Sequence, residues 1–357
     1  MKKKLTFLGI ETSCDETAAS IVTENNTGLG TILSNVVSSQ TNVHKKFGGV
    51  VPELAARSHI EKIDHIINES IKISKIELKN IDGIAATAGP GLIVCLTVGL
   101  GIAKAMAASL NKPLVAVNHL EGHALSPKIM NKISFPYLLL LISGGHTQFL
   151  EVQGVGKYKR LGTTIDDALG EAFDKTAKLI GVEFPGGPKI ENLAKKGDEN
   201  YFQLPKPIIN RGGCNLSFAG LKTAVLKISK KITNEKEKFH LAASFQKTIE
   251  EILCVKSKIA MDMFRKKNKN LSSAFVIAGG VASNKKIRNS LNNLAITENY
   301  KPIFPPINLC SDNAAMIAWA GIEKYKLNLN NKLDFPARAR WPLDESAPFM
   351  KGAGIKL

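Results

Sequence analysis

Residues 136–152 read PYLLLLISGGHTQFLEV. The apolar run from Tyr137 to Ile142 has the character of a buried strand, Ser143-Gly144-Gly145 interrupts it, and Thr147 to Val152 resumes with apolar and β-favouring side chains. This predicts a hairpin closed by a glycine turn. Glycines let backbone come close to a ligand, and the free N–H groups of such a turn can face an anion. A plain tight turn is the alternative. Two further stretches share the pattern and favour the ligand-facing reading. Leu5 to Val22, LTFLGIETSCDETAASIV, is a strand that runs into a polar turn over Glu11 to Thr17, with a second strand leaving it. Phe275 to Arg288, FVIAGGVASNKKIR, ends a strand in Gly279-Gly280 and places Asn284 near the start of a helix. Two strand–turn–strand units in different halves and a late glycine turn predict a duplicated α/β lobe with a nucleotide between the copies.

Composition sets the frame for that reading. A chain of 357 residues, 44% apolar and 22% charged, can bury two substantial cores and is not of disordered type. Its formal net charge of +17 points to a polyanionic partner, nucleic acid or a membrane surface, or else to a lysine-rich bias spread over solvated faces. The five cysteines are odd in number and form no CxxC, which argues against a disulfide framework and fits a reducing, cytoplasmic compartment. Cys14 lies in the first polar turn, but no neighbouring base supports a nucleophile there, and it reads as a small space-filling residue. The start, MKKKLTFLGIETSCDET, leads into a strand rather than a long apolar segment, so no signal peptide is expected. The apolar stretch Leu92 to Leu110 carries Lys104 and two glycines and reads as a buried helix, not a membrane span.

Along the chain, Thr31 to Ser38 is a strand, Thr41 to Gly49 a loop holding His44, Lys45 and Lys46, and Pro52-Glu53 the start of a helix. Glu53 and Arg57 are spaced to pair on its exposed face. Ile81 to Ala86 is a strand whose end is marked by Gly89-Pro90-Gly91, where α/β folds often place ligands. Leu114 to Val117 is the next strand, and it delivers Asn118-His119-Leu120-Glu121-Gly122-His123. On a helix, His119 and His123 would share one face, as two metal ligands often do. Two histidines hydrogen-bonded at an element end are the alternative. Leu120 follows His119, so HExxH is absent and a zinc protease is not indicated. Asp312 is the candidate third ligand; an ordinary N-cap of the helix from Ala314 to Lys324 is its competing role. Pro302 to Leu309 looks strand-like. In the second half Asp174 belongs either to a solvated helix face or to a site where it accepts a hydrogen bond from a ribose or threonine-like group. Phe184-Pro185-Gly186-Gly187-Pro188 reads as a rigid turn open to a ligand. Basic helical pieces follow over Lys222 to Lys231 and Phe239 to Lys269.

With these motifs assembled, the chain resembles the TsaD family, also called Gcp, whose archaeal and eukaryotic relative is the Kae-type subunit. The resemblance spans about residues 5–345 and rests on GIETSCDET (9–17), FGGVVPELAARSH (47–59), AGPGL (88–92), NHLEGH (118–123), LISGGHTQF (141–149), DDALGEAFDK (166–175), FPGGP (184–188), NLSFAGLKTA (215–224), AGGVASN (278–284) and CSDNAAMIA (310–318). ETSCDET and SGGHTQ point to the bacterial branch. The resemblance implies an α/β, two-lobed actin/Hsp70/sugar-kinase-like (ASKHA) fold: duplicated ribonuclease H-like lobes with a nucleotide cleft between them. The lobes would be 1–135, completed by a C-terminal helix at about 312–345, and 136–311.

It also implies transfer of a threonylcarbamoyl group from threonylcarbamoyl-AMP to N6 of adenosine 37, in tRNAs reading codons that begin with adenine, with release of AMP. His119, His123 and Asp312 would hold one divalent ion, iron(II) with zinc(II) as the alternative. Leu141, Ile142, Ser143, Gly144 and Gly145 would bind the phosphate and acyl part, and Asp174, Gly187 and Asn284 the adenylate. Glu191 stands where many relatives have aspartate, and Ala339 where the tail usually has proline. A paralogous TsaB-type subunit and a small TsaE-type ATPase are the implied partners, with no membrane involved. Three rival readings follow from the same features: an ATP-dependent small-molecule kinase on this fold, a metallopeptidase, and a non-catalytic nucleotide-binding scaffold.

Overall fold

The computed structural model describes residues 4–269 and 274–348, and the first three residues of the N-terminal stretch lie outside these. Contacts divide the chain into two compact units: Met1–Ser134, Gly154–Lys157 and Ser311–Glu345 form the first, and Phe135–Gln153, Tyr158–Cys310 and Ser346–Leu357 the second.

The first unit is built on a five-stranded sheet. Its strands are β1 (Thr6–Glu11), β2 (Glu16–Glu24), β3 (Gly30–Ser39), β4 (Gly83–Gly89) and β5 (Leu114–Asn118), in the order β3-β2-β1-β4-β5. The first three strands run antiparallel, while β4 is parallel to β1 and β5 to β4. Helices α1 (Thr41–His44), α2 (Pro52–Ser74), α3 (Ile93–Leu110) and α4 (His119–Leu125) connect or follow these strands. Strand β1 is buried on both faces, as its near-continuous apolar run requires. Leu8 and Ile10 point into a core shared with Ile63, Ile66 and Ile67 of α2 and Leu100 and Ala103 of α3. The alternate residues, Phe7 and Gly9, face α10 (Ala314–Tyr325). A side chain at Gly9 would overlap the backbone of Ala314 and Ala318, so glycine is what lets α10 lie close on the strand. The same alternation turns Glu11 toward the α10 side.

The second unit repeats this plan. Its sheet comprises β6 (Tyr137–Ile142), β7 (Thr147–Gly154), β8 (Lys157–Thr163), β9 (Ala274–Ala278) and β10 (Lys301–Ile303), in the order β10-β9-β6-β7-β8. Read from its own first strand, the order matches that of the first sheet. Again the first hairpin is antiparallel (Ile142 opposite Thr147) and the later strands are parallel. Helices α5 (Leu169–Leu179), α6 (Gly186–Ala194), α7 (Ala219–Ser229), α8 (Glu235–Lys267) and α9 (Lys285–Thr297) surround it. The core holds Leu138, Leu140 and Ile142 of β6 against Phe173 of α5 and Phe245 of α8. The duplicated α/β plan expected from the two hairpins, which the resemblance made ribonuclease H-like, is therefore present.

Several local expectations need correction. Thr41–Gly49 is not a loop: α1 leads into a 3-10 turn at Lys45–Phe47, closed by Gly48 with φ 67°, and His44 is buried. Pro302 to Leu309 is strand only to Ile303, because Pro305 and Pro306 lack the N–H a ladder needs; Ile307–Leu309 is a 3-10 turn. The Phe184–Pro188 segment does not remain a turn, since Pro185 caps α6, which begins at Gly186. β8 is a strand not anticipated from the sequence. α3 buries only the stripe Cys95, Leu96, Gly99, Leu100, Ala103 and Ala107.

Candidate metal centre and adenylate site

The metal candidates lie in the first unit. Asn118 ends β5 and caps α4, its Oδ1 accepting from Leu120 N at 2.9 Å. His119 is therefore the first residue of a helix, and His123, one turn on, shares its face; the ring centres are 4.8 Å apart and edge-on. Asp312 does not cap α10. Asn313 does, accepting from Met316 N at 3.1 Å, which leaves Asp312 just outside the helix and aimed at the histidines. Its Oδ1 lies 3.4 Å from His119 Nε2 and 3.1 Å from His123 Nε2. One ligand atom from each residue falls within 4.8 Å of the others, a group that can hold a metal ion.

Two imidazole nitrogens and one carboxylate oxygen suit a borderline divalent ion such as iron(II) or zinc(II) and leave coordination positions for other oxygens. The far side of the His119 ring is fixed as well. Nδ1 lies 3.0 Å from Glu11 Oε2 and 3.2 Å from Ser13 Oγ, the outer-shell carboxylate arrangement that orients a ligating imidazole. Glu11 is fully buried and also accepts from Ser13 N and Thr87 Oγ1, both at 2.5 Å. Sequence reading did not single out Glu11 or Ser13. The available signal was a carboxylate ending an otherwise apolar strand.

Electrostatics follow from this packing. Burial opposes ionisation of Asp312, but the His119 imidazolium outweighs it and holds the carboxyl well below the usual range. Burial likewise raises Glu11, and the charge and hydrogen bond of His119 reverse this to a net lowering. For His119 burial disfavours the cation, yet Asp312 and Glu11 together push its pKa well above the ordinary value. The two carboxylates thus favour the cationic form of the ring, and a divalent ion would take the place of the Nε2 proton. Cys14, close by, is pushed well up by burial and by Asp15, Asp312 and Glu16, which suits an inert thiol.

The predicted adenylate and acyl residues lie in the second unit. Leu141 and Ile142 are buried in β6, and the turn beyond is tied at both ends. Ser143 N donates to His146 O at 2.8 Å, and Ser143 O accepts from Gly170 N at the start of α5 at 3.1 Å. Gly144 and Gly145 are exposed, and a side chain at either would meet nothing within 4 Å. Asp174 Oδ1 accepts from Gly186 N at 2.7 Å, which joins α5 to the start of α6 beside Gly187, itself open. Glu191 Oε1 accepts from Lys285 N at 2.9 Å, next to Asn284. Asn284 caps α9 through Ile287 N at 3.1 Å and donates from Nδ2 to Gln246 Oε1 at 2.9 Å. Asp174, Gly187, Glu191 and Asn284 are thus linked through the starts of α6 and α9.

The chain is similar to known proteins along its length. Residues 31–319 match the model of the family described as TsaD: tRNA N6-adenosine threonylcarbamoyltransferase. A protein of Pelagibacter ubique (strain HTCC1062) with the name tRNA N6-adenosine threonylcarbamoyltransferase is 68% identical over 357 residues, all of both chains. One of Brucella suis (strain ATCC 23445 / NCTC 10510), of the same name, is 49% identical over 97% of this chain and 98% of its own. Among solved structures, HypF of T. kodakarensis superposes with TM-score 0.61 at 14% identity, over 92% of this chain and 49% of HypF. Component A of the (R)-2-hydroxyglutaryl-CoA dehydratase of Acidaminococcus fermentans does so with TM-score 0.50 at 13% identity, over 90% of this chain and 99% of that one. These two likenesses support the ASKHA fold alone.

Proposed function

The chain belongs to the TsaD family of tRNA N6-adenosine threonylcarbamoyltransferases, and from that premise we propose how its residues divide the work. The reaction moves the threonylcarbamoyl group of threonylcarbamoyl-AMP onto N6 of adenosine 37, in tRNAs reading codons that begin with adenine, and releases AMP. A mixed anhydride needs its phosphate held and its carbamoyl carbon presented to the amine. The first unit is the metal lobe and the second the adenylate lobe.

His119, His123 and Asp312 would hold one divalent ion, iron(II) with zinc(II) as the alternative. When bound, it supplies a Lewis acid for oxygen atoms on which charge develops. The observation that carries this assignment is the convergence of the three ligand atoms on one point, with the Nδ1 side of His119 already engaged by Glu11 and Ser13. Glu11 keeps the proton of the neutral imidazole on Nδ1 and leaves Nε2 for the ion. The open turn at Gly144 and Gly145 offers backbone N–H groups to the phosphate, with Leu141, Ile142 and Ser143 shaping its base. Asp174 and Gly187 face the nucleoside, Glu191 reaches a ribose hydroxyl with one methylene more than aspartate, and Asn284 offers its second amide hydrogen. The protein works in the cytoplasm with a TsaB-type paralogue and a TsaE-type ATPase, and is nearly inactive alone.

The test is nucleoside mass spectrometry of unmodified tRNA incubated with this chain, both partners and preformed threonylcarbamoyl-AMP. N6-threonylcarbamoyladenosine is expected only when the chain is present. Its absence with ion and adenylate bound would favour a non-catalytic scaffold.

A further inference from the structure

The C-terminal segment Phe335–Trp341 crosses the first unit beside the metal ligands, and nothing in the proposed chemistry uses it. Arg338 N donates to Ala88 O at 2.7 Å and Gly91 N to Ala339 O at 3.3 Å, so the segment lies along the end of β4. Gly89 permits this crossing: its φ is 149°, and a side chain there would overlap Arg338 O. The Arg338 guanidinium sits 4.9 Å from the Phe335 ring centre and 5.1 Å from that of Trp341, and the two rings are 5.5 Å apart. The strap is therefore clamped on itself and on the sheet before it reaches α4.

Two connections then run from it to the ligand helix. Asn118 Nδ2 donates to Trp341 O at 2.8 Å while the Oδ1 of the same amide caps α4. Lys324 Nζ lies 6.0 Å from the Trp341 ring centre and 3.3 Å from Oε2 of Glu121, the residue midway between the two histidines. Asn118 is 3% exposed, so an unpaired amide there would be costly and its rotamer is set by both partners.

We infer that the strap Phe335–Trp341 is a positioning element for the metal centre, acting through Asn118 to fix where α4 begins and how His119 is presented. This rests on the metal reading given above. Asn118→Ser isolates the link, because serine still caps the helix through its single Oγ but has no second polar atom where Nδ2 reaches Trp341 O. Zn2+ affinity, measured by competition with a chromogenic chelator on the full chain, is expected to fall about 10-fold or more in this variant, the lower end of outer-shell effects. The ion-free protein should lose only about 2–4 °C in melting temperature, the effect of one hydrogen bond. Arg338→Ala, which touches no ligand, should weaken Zn2+ in the same direction by loosening the clamp. A strap that merely stabilises the fold would lower both melting temperatures and leave Zn2+ affinity at the wild-type value; that result overturns the inference and leaves the metal reading intact. A wild-type chain that takes up no Zn2+ would overturn both.

Discussion

At the scale of single residues, the proposed centre is defined by what surrounds the candidate ligands as much as by those ligands. His119→Ala removes one ligand and leaves Glu11 buried without its cation. We expect transfer to fall by roughly 10²–10³, an effect of about 3–4 kcal/mol on the barrier, with ion content near zero by elemental analysis. Unchanged transfer without bound ion would remove the metal from the mechanism. Glu11→Gln keeps the shape but not the charge, and Zn2+ affinity should fall about 10–100-fold with the fold intact. Cys14 provides a contrast. Its thiol is held above its usual pKa by burial and three nearby carboxylates, so the thiolate is scarce at neutral pH. Iodoacetamide at pH 7–8 should label it far more slowly than a free cysteine, with the rate rising only at more alkaline pH. Rapid, stoichiometric labelling at pH 7 would contradict this environment. The histidine pair and the glycine turn were legible because each is a local pattern. Glu11 and Ser13 were not, because their role depends on a strand face that only the packed sheet defines.

At the scale of elements, the close approach of α10 to β1 is what carries Asp312 to the histidines. Gly9→Val would place a branched side chain against the backbone of Ala314 and Ala318. Displacing α10 in this way should cost more than about 3 kcal/mol, read as a fall in the denaturation midpoint, and should weaken ion binding with it. Retention of both would show that the helix has room to move. The α9 cap offers a milder case. Asn284→Asp keeps an acceptor for Ile287 N but loses the donor to Gln246, so it separates capping from adenylate binding. A stable variant with weakened adenylate affinity is the expected outcome, and unaltered affinity would confine Asn284 to the cap. The outer face of α2 carries apolar side chains into solvent, with Ile60 64% and Ile73 51% exposed. The stretch Ile93–Leu110 is apolar enough by composition to be taken for a fully buried helix, and its open side is set by what packs on it rather than by its own residues.

At the scale of the whole molecule, the +17 charge and the tRNA substrate make a joint prediction. Each phosphate contact by a lysine or arginine releases counterions, so tRNA affinity should fall steeply between about 50 and 200 mM salt. A flat profile over that range, measured with the assembled system, would assign the charge to solvated surface instead. The duplicated sheet also explains why the site residues come in two sets. The first set of candidates clusters at β1, the β5–α4 junction and the start of α10; the second at the β6–β7 turn, along α5 and α6 and at the start of α9.

What the sequence determined by itself was therefore local: apolar strand runs, glycine turns, helix starts and the shared face of His119 and His123, while the fold class came from the family resemblance that these motifs together carry. These depend on residues a few positions apart. The tertiary structure decided what depends on distant ones: that Asp312, 189 residues from His123, is a ligand candidate rather than a cap, and that Glu11, 108 residues from His119, sets its ring. A carboxylate looks alike in a strand end, a cap or a ligand shell; only the packing that removes its water and supplies its partner distinguishes them.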